Sequence, residues 1–133
     1  MTWPLFDLLP SGASDVVAKK KLNNQSDFQL TNNIAIGVTN YENALKFYET
    51  ILGMKNVQTM ENETKFSISS TTFFIENNSA NQVFFEFAVE DFKSAKKLLV
   101  ENGCVITKEY KDTSVIIADP YGLRFHLFEV KKN

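Results

Sequence analysis

Val38-Thr39-Asn40-Tyr41-Glu42-Asn43-Ala44 is echoed about fifty residues later by Val89-Glu90-Asp91-Phe92-Lys93-Ser94-Ala95. Each copy runs through a helical pattern to a glycine, Gly53 and Gly103. A period of that length marks a duplicated supersecondary unit. Ahead of the first copy, residues 34–38 place large side chains at every second position and read as a strand. Asn40 then serves as a helix N-cap, with Ala44, Phe47, Tyr48 and Ile51 expected on one helix face. Gly53 stops the helix by taking a left-handed conformation. Three short strands follow near 57–60, 65–69 and 73–76, so the unit is β-α-β-β-β. The second copy repeats that order: a strand at 83–89, an Asp91-capped helix with Ala95, Leu98 and Leu99 inward, Gly103 as its stop, and strands near 104–109, 114–118 and 123–130. Asp119-Pro120-Tyr121-Gly122 turns the chain between the last two, with proline fixing the backbone early in the turn and glycine relaxing it late.

Length and composition bound the rest. A chain of 133 residues buries roughly two-thirds of its unfolded surface as one domain, and 44 % hydrophobic with 23 % charged residues is ordinary for a soluble globule. Fourteen basic against sixteen acidic residues give a formal charge of -2, too little positive field to draw nucleic acid or an anionic membrane. No segment has the length of a membrane span, and the N-terminus lacks the basic start and long apolar run of a secretory signal. The expected location is the cytoplasm. Cys104, the single cysteine, has no basic neighbour in sequence and reads as a small buried hydrophobe rather than a reactive thiol. Residues 1–32 lie outside both repeats and form an N-terminal arm. Either this is an arm of variable length lying on the surface, or its Trp3, Leu5, Phe6, Leu8 and Leu9 pack on the domain or on a second subunit, as large apolar groups are poorly kept in water.

Asn40 through Gly53, with Phe47-Tyr48 and Leu52-Gly53, resembles the "D-x-x-x-[AS]-x-x-F-Y-x-x-x-L-G" segment of the vicinal oxygen chelate superfamily, which includes glyoxalase I, bleomycin-resistance proteins, fosfomycin-resistance enzymes and extradiol dioxygenases. Asp119-Pro120-Tyr121-Gly122-Leu123-Arg124-Phe125-His126-Leu127 is similar to its "D-P-[DY]-G-N-x-[IF]-E-[LF]" closing strand. The match covers roughly residues 33–130, as one domain of two modules, 33–78 and 83–130. The resemblance implies an α+β fold of tandem βαβββ modules, a curved mixed sheet around a cleft with the helices outside. It also implies a homodimer. Fold alone does not carry function, because such scaffolds host many chemistries.

Strand parity sorts the side chains by face. Ile34, Ile36, Val38, Phe85, Phe87, Val89, Phe125 and Leu127 are expected under the helices. Asn33, Ala35, Gly37, Phe84, Glu86, Ala88, Arg124, His126 and Phe128 are expected on the opposite, ligand-facing side. In metal-dependent members, the resemblance implies four ligands on the first and last strands of the two modules. Carried onto this chain they fall on Asn33, Glu76, Phe84 and His126. Phenylalanine has no donor and an asparagine carbonyl is a weak ligand for borderline divalent metals, so Glu76 and His126 are the two metal-competent positions. Glu86 lies two residues beyond Phe84 on the same face and can add a carboxylate about 6 to 7 Å away.

His126 is the only histidine, and a Glu86–His126–Arg124 cluster among aromatic rings is expected, as buried charges must be paired. Ligand-binding candidates are therefore His126, Arg124, Glu86, Phe84, Asn33 and Phe128, with Phe73 or Phe74 adding to the wall. The leading expectation is a small-molecule binding or sequestration protein without a cofactor, taking an aromatic or amphipathic ligand, as the bleomycin-resistance branch does. The alternative is a metal-dependent lyase, isomerase, transferase or dioxygenase using Glu76 and His126 around a divalent ion. A third reading has the rings filling the interior, leaving only assembly as a role.

Overall fold

The computed structural model describes residues 28–131. The apolar arm residues Trp3 to Leu9 lie outside them. The described residues hold nine strands and two helices: β1 Gln29–Leu30, β2 Asn33–Val38, α1 Tyr41–Lys46, β3 Lys55–Thr59, β4 Glu63–Ile68, β5 Thr71–Asn77, β6 Val83–Val89, α2 Phe92–Glu101, β7 Val105–Lys111, β8 Ser114–Ala118 and β9 Arg124–Glu129. No helix among them is long and apolar enough to cross a membrane. They group into two units, one spanning residues 32–84 and the other residues 85–131 together with the stretch through Thr31.

In the first unit the strands run in the order β3-β4-β5-β2. β2 lies parallel to β5, and β3, β4 and β5 are antiparallel neighbours. Val83 and Phe84, which open β6, pair antiparallel with Ile36 and Ala35. The second unit repeats the plan in the order β6-β9-β8-β7, with β6 parallel to β9. β1 adds antiparallel to β6 through Gln29 opposite Ala88 and Leu30 opposite Phe87. In each module the first strand thus pairs parallel with the last, which requires the helical crossover that the sequence supplies between them.

Each unit packs one sheet face on its helix. Phe66, Ile75 and Met54 form the buried centre of the first, with Ile36, Val38, Phe73, Tyr41, Leu45 and Tyr48 packed on it. Val89, Val115, Ile117, Phe125 and Leu127 meet Phe92 and Ala95 in the second, with Phe85, Phe87 and Leu99 around them. Burying each such side chain stabilises by roughly 1.5–3 kcal/mol. The strand parity expected from sequence therefore holds on both core faces.

The helices depart from expectation. Tyr48 packs on the core as expected, but Phe47 and Ile51, expected beside it, are 49 % and 68 % exposed, and Tyr41 and Leu45 face the core instead. Tyr41, Leu45 and Tyr48 keep the α-helical spacing of one face, and a π-helical turn follows over Phe47–Ile51, where the Leu52 N–H reaches back five residues to the Phe47 carbonyl. That wider turn rotates the following side chains off the face that an α-helical period assigns them. On α2 the inward set is Phe92, Ala95 and Leu99, while Leu98 points out. Asp91 caps α2 as expected, accepting from the Ser94 N–H at 3.1 Å, whereas Asn40 stands at the N-cap of α1 with no side-chain capping bond. Gly53 and Gly103 take φ of +75° and +97° and end their helices as read. Cys104 is half-buried beside the second core, and burial followed by the nearby Asp119 charge pushes its thiol pKa up, away from reactivity.

Candidate functional site

The face of the second unit's sheet away from α2 carries a row of polar side chains running across four strands. Register sets Glu86 of β6 directly beside His126 of β9, and Ser114 of β8 beside Phe128, one pleat along. His126 Nδ1 lies 3.0 Å from Glu86 Oε2, and His126 Nε2 lies 2.9 Å from the Ser114 hydroxyl. Thr31, just past β1, donates its hydroxyl to Glu86 Oε1 at 2.7 Å, and its backbone N–H bonds the Glu86 carbonyl at 2.9 Å. Glu86, His126 and Ser114 are completely buried. A buried carboxylate beside an imidazole is tolerable only with such partners, since an unpaired charge there costs several kcal/mol.

Aromatic rings enclose the imidazole. Phe128 stacks on it with centroids 5.5 Å apart, and Tyr110 of β7 meets it edge-on at 6.1 Å. The small Ser114 side chain on the intervening strand leaves room for Tyr110 to reach across β8. Lys108 Nζ sits 5.0 Å above the Tyr110 ring, a cation–π contact at the edge of the row. The expected Glu86–His126–Arg124 cluster is thus formed in two of its three members. Arg124 is half-buried at the start of β9, and its charge helps hold the Asp119 carboxyl below the ordinary range, behind the Tyr121 backbone bond.

In the first unit the corresponding face carries Asn33, Ala35, Phe74, Glu76 and Phe84. Phe73 and Ile75 belong to the helix-side core, so Phe74 and Glu76 point to the other side. Glu76 pairs in register with Glu63 of β4, and both carboxyls are buried. Apart from the Glu76 carboxyl, no N–H or O–H donor among the described residues reaches either oxygen of Glu63. Burial raises the Glu63 pKa to about 7, with bonding to Glu76 pulling the other way, the behaviour of two acids that share a proton. Asn78 Nδ2 reaches Glu76 Oε1 at 3.4 Å. A side chain in place of Gly37, beside Glu76 in register, would collide with Asn78. Asn33 is half-buried and Phe84 buried. On the helix side, the Tyr41 hydroxyl bonds Thr64 at 2.7 Å, and burial first of all raises its pKa.

Of the four positions that correspond to chelating residues, Glu76 and Asn33 fall in the first unit with Phe84, and His126 falls in the second. Among the described residues no group of three or more histidine, cysteine, aspartate or glutamate side chains is gathered to hold a metal. Four residues that shape these two faces escaped sequence reading: Thr31, Glu63, Tyr110 and Ser114. The bulges in β7 near Thr107 and Tyr110 shift its register against β8, so period-two counting places Tyr110 wrongly. Glu63 falls between the strands expected at 57–60 and 65–69, and Thr31 falls within the arm. Ser114 carried one signal, a polar residue opening the apolar strand Ser114–Ala118.

The family model for the Glyoxalase/Bleomycin resistance protein/Dioxygenase superfamily matches residues 31–127. A superfamily member from Vibrio splendidus 12B01 is similar in structure, with a TM-score of 0.59 and 12 % identity over 80 % of this chain and 100 % of that one. Homoprotocatechuate 2,3-dioxygenase from Brevibacterium fuscum, complexed with 3,4-dihydroxyphenylacetate, gives 0.60 and 16 % over 86 % of this chain and 40 % of the other. The Arthrobacter globiformis enzyme of the same name gives 0.58 and 19 % over 80 % and 37 %. This chain therefore spans well under half of those dioxygenases, and at such identities the likeness is one of fold. A comparison with curated protein sequences returned no significant match. With the doubled β-α-β-β-β order in place and the family model matched across most of its length, the chain belongs to the glyoxalase/bleomycin resistance protein/dioxygenase superfamily.

Proposed function

We propose that this chain is a small-molecule binding member of the superfamily that works without a catalytic metal. The observation that carries the reading is the state of His126: both ring nitrogens are engaged within the protein, by Glu86 and by Ser114. A metal needs a free nitrogen lone pair, and three or four donors converging on it. Phe84 offers no donor at one corresponding position, and Asn33 offers only a neutral amide at another. The residues present do not fit a chelated divalent ion. Planar binding is supported by the rings of Tyr110 and Phe128 about the imidazole, and the half-buried Arg124 on the same sheet face supplies a cation suited to an anionic or polar substituent. In this reading Glu86 and His126 support the aromatic wall, while Arg124 and Tyr110 make the outer contacts. A homodimer, resting on the family resemblance, and a cytoplasmic location, resting on the sequence reading, are part of the same proposal.

The test uses 3,4-dihydroxyphenylacetate, the planar anion held by the similar dioxygenase, on chain purified without chelator. The expected outcome is a rise in melting temperature with ligand concentration, lost in Arg124→Ala, together with substoichiometric metal by elemental analysis and no oxygen uptake after Fe(II) is added. Oxygen uptake, or one divalent ion per chain, would replace this reading with metal-dependent ring cleavage or a related lyase reaction.

A further inference from the structure

We infer that Thr31, Glu86, His126 and Ser114 form a fixed internal brace, in which Ser114 occupies the very direction from which His126 would otherwise coordinate a metal. The inference rests on the metal-free reading above and gives it an atomic cause. A carboxylate only accepts. Glu86 Oε1 accepts a hydrogen bond from the Thr31 hydroxyl at 2.7 Å and Oε2 faces His126 Nδ1 at 3.0 Å, so the Nδ1 nitrogen carries the proton between them. In the neutral imidazole Nε2 is then the acceptor nitrogen, and the Ser114 hydroxyl donates into its lone pair at 2.9 Å. A metal on Nε2 would sit about 2.0–2.1 Å from it along that lone pair, where the serine oxygen already blocks the approach.

The remaining sides are closed as well. Phe128 covers one ring face and Tyr110 approaches edge-on, while Glu86, His126 and Ser114 have no exposed surface through which water could replace a lost partner. The order serine, histidine, carboxylate is also that of an activated nucleophile with its base and orienting acid. Complete burial of Ser114 withholds it from any substrate, so the same three groups act here as a cross-strand tie linking the end of β1 to β6, β9 and β8.

Because His126 is the only histidine, its imidazole gives a single spin system in a long-range nitrogen–proton correlation spectrum. The expected spectrum shows the proton on Nδ1, a bare Nε2, and no change on adding excess Zn2+ or EDTA. In Ser114→Ala the Nε2 resonance moves as its donor disappears. Should that variant fail to fold, Thr31→Val perturbs the Nδ1 side through Glu86, and the zinc titration of the wild-type chain needs no variant. A zinc-shifted Nε2, a proton resident on Nε2, or an unchanged Ser114→Ala spectrum overturns the brace. The two readings fail separately. Stoichiometric metal elsewhere in the chain, with the His126 resonances unmoved, removes the metal-free reading and keeps the brace. A zinc-shifted Nε2 in chain that binds its probe without metal does the reverse.

Discussion

The two modules share an element order and a pairing scheme, yet they treat a buried acid on the face away from the helix in opposite ways. Glu86 faces an imidazole and a threonine hydroxyl, whereas Glu76 faces another carboxyl, Glu63. In the first case opposite or complementary groups meet and the network accounts for its own polarity. In the second, like groups meet, and one of them must keep a proton near neutral pH to remain buried. The duplication therefore conserves topology and lets chemistry diverge. What a position does is decided by its cross-strand partner rather than by its place in the repeat.

The strongest way to break that comparison is to remove the partnered acid. Glu86→Ala leaves His126 buried with Nδ1 unanswered and strips Thr31 of its acceptor, and removing one partner of a buried pair costs about 3–5 kcal/mol. Urea denaturation followed by circular dichroism measures it. A loss below about 1 kcal/mol, the scale of an exposed pair, would mean that the relay is not held as tightly as its distances imply.

The acid that faces another acid makes a pH-dependent prediction of the opposite kind. Glu63 is raised from 4.5 to about 7 in the folded chain by burial. The sign follows from proton binding: the folded state holds a proton that the unfolded state releases above pH 4.5. The contribution is therefore fully present below that pH, is lost progressively as pH climbs to about 7, and is flat beyond. The full change is on the order of 3 kcal/mol. Denaturation at stepped pH should show this decline, and Glu63→Gln should flatten it and leave the chain more stable than wild type at pH 8. A Glu63→Gln profile that still falls over the same interval would place the titration on another group.

How much of this was legible beforehand follows from where register is decided. The alternation that put Ile36, Val38, Phe85, Phe87, Phe125 and Leu127 under the helices was readable because the side-chain period of a strand is fixed at two. The meeting of Glu86 with His126 was readable as well, since both lie on strands that open and close a module and pair in parallel. Ser114, Tyr110 and Glu63 were not. Two bulges in β7 reset its register, and Glu63 comes opposite Glu76 through the register of the β4–β5 hairpin, which the tight turn at Ser69-Ser70 sets and strand alternation does not. The π-helical turn at Phe47–Ile51 likewise breaks the 3.6-residue period by the time it reaches Ile51.

The helix starts give the smallest contrast between the modules and the cleanest. The sequence echo sets Asn40 and Asp91 in the same place, both residue types suited to capping. Only Asp91 does so, through both carboxylate oxygens: one accepts from the Ser94 N–H at 3.1 Å and the other from the Ser94 hydroxyl at 2.8 Å. Its negative charge also complements the partial positive charge at the start of α2. Asp91→Ala should therefore cost about 1 kcal/mol, within the usual range for a lost cap. Asn40→Ala removes no side-chain bond to the helix, so its cost should stay within about 0.5 kcal/mol, as at surface positions without special contacts. Equal losses in the two variants would mean that Asn40 caps α1 in solution, and that the modules are more alike at their helix starts than their bonded geometry makes them.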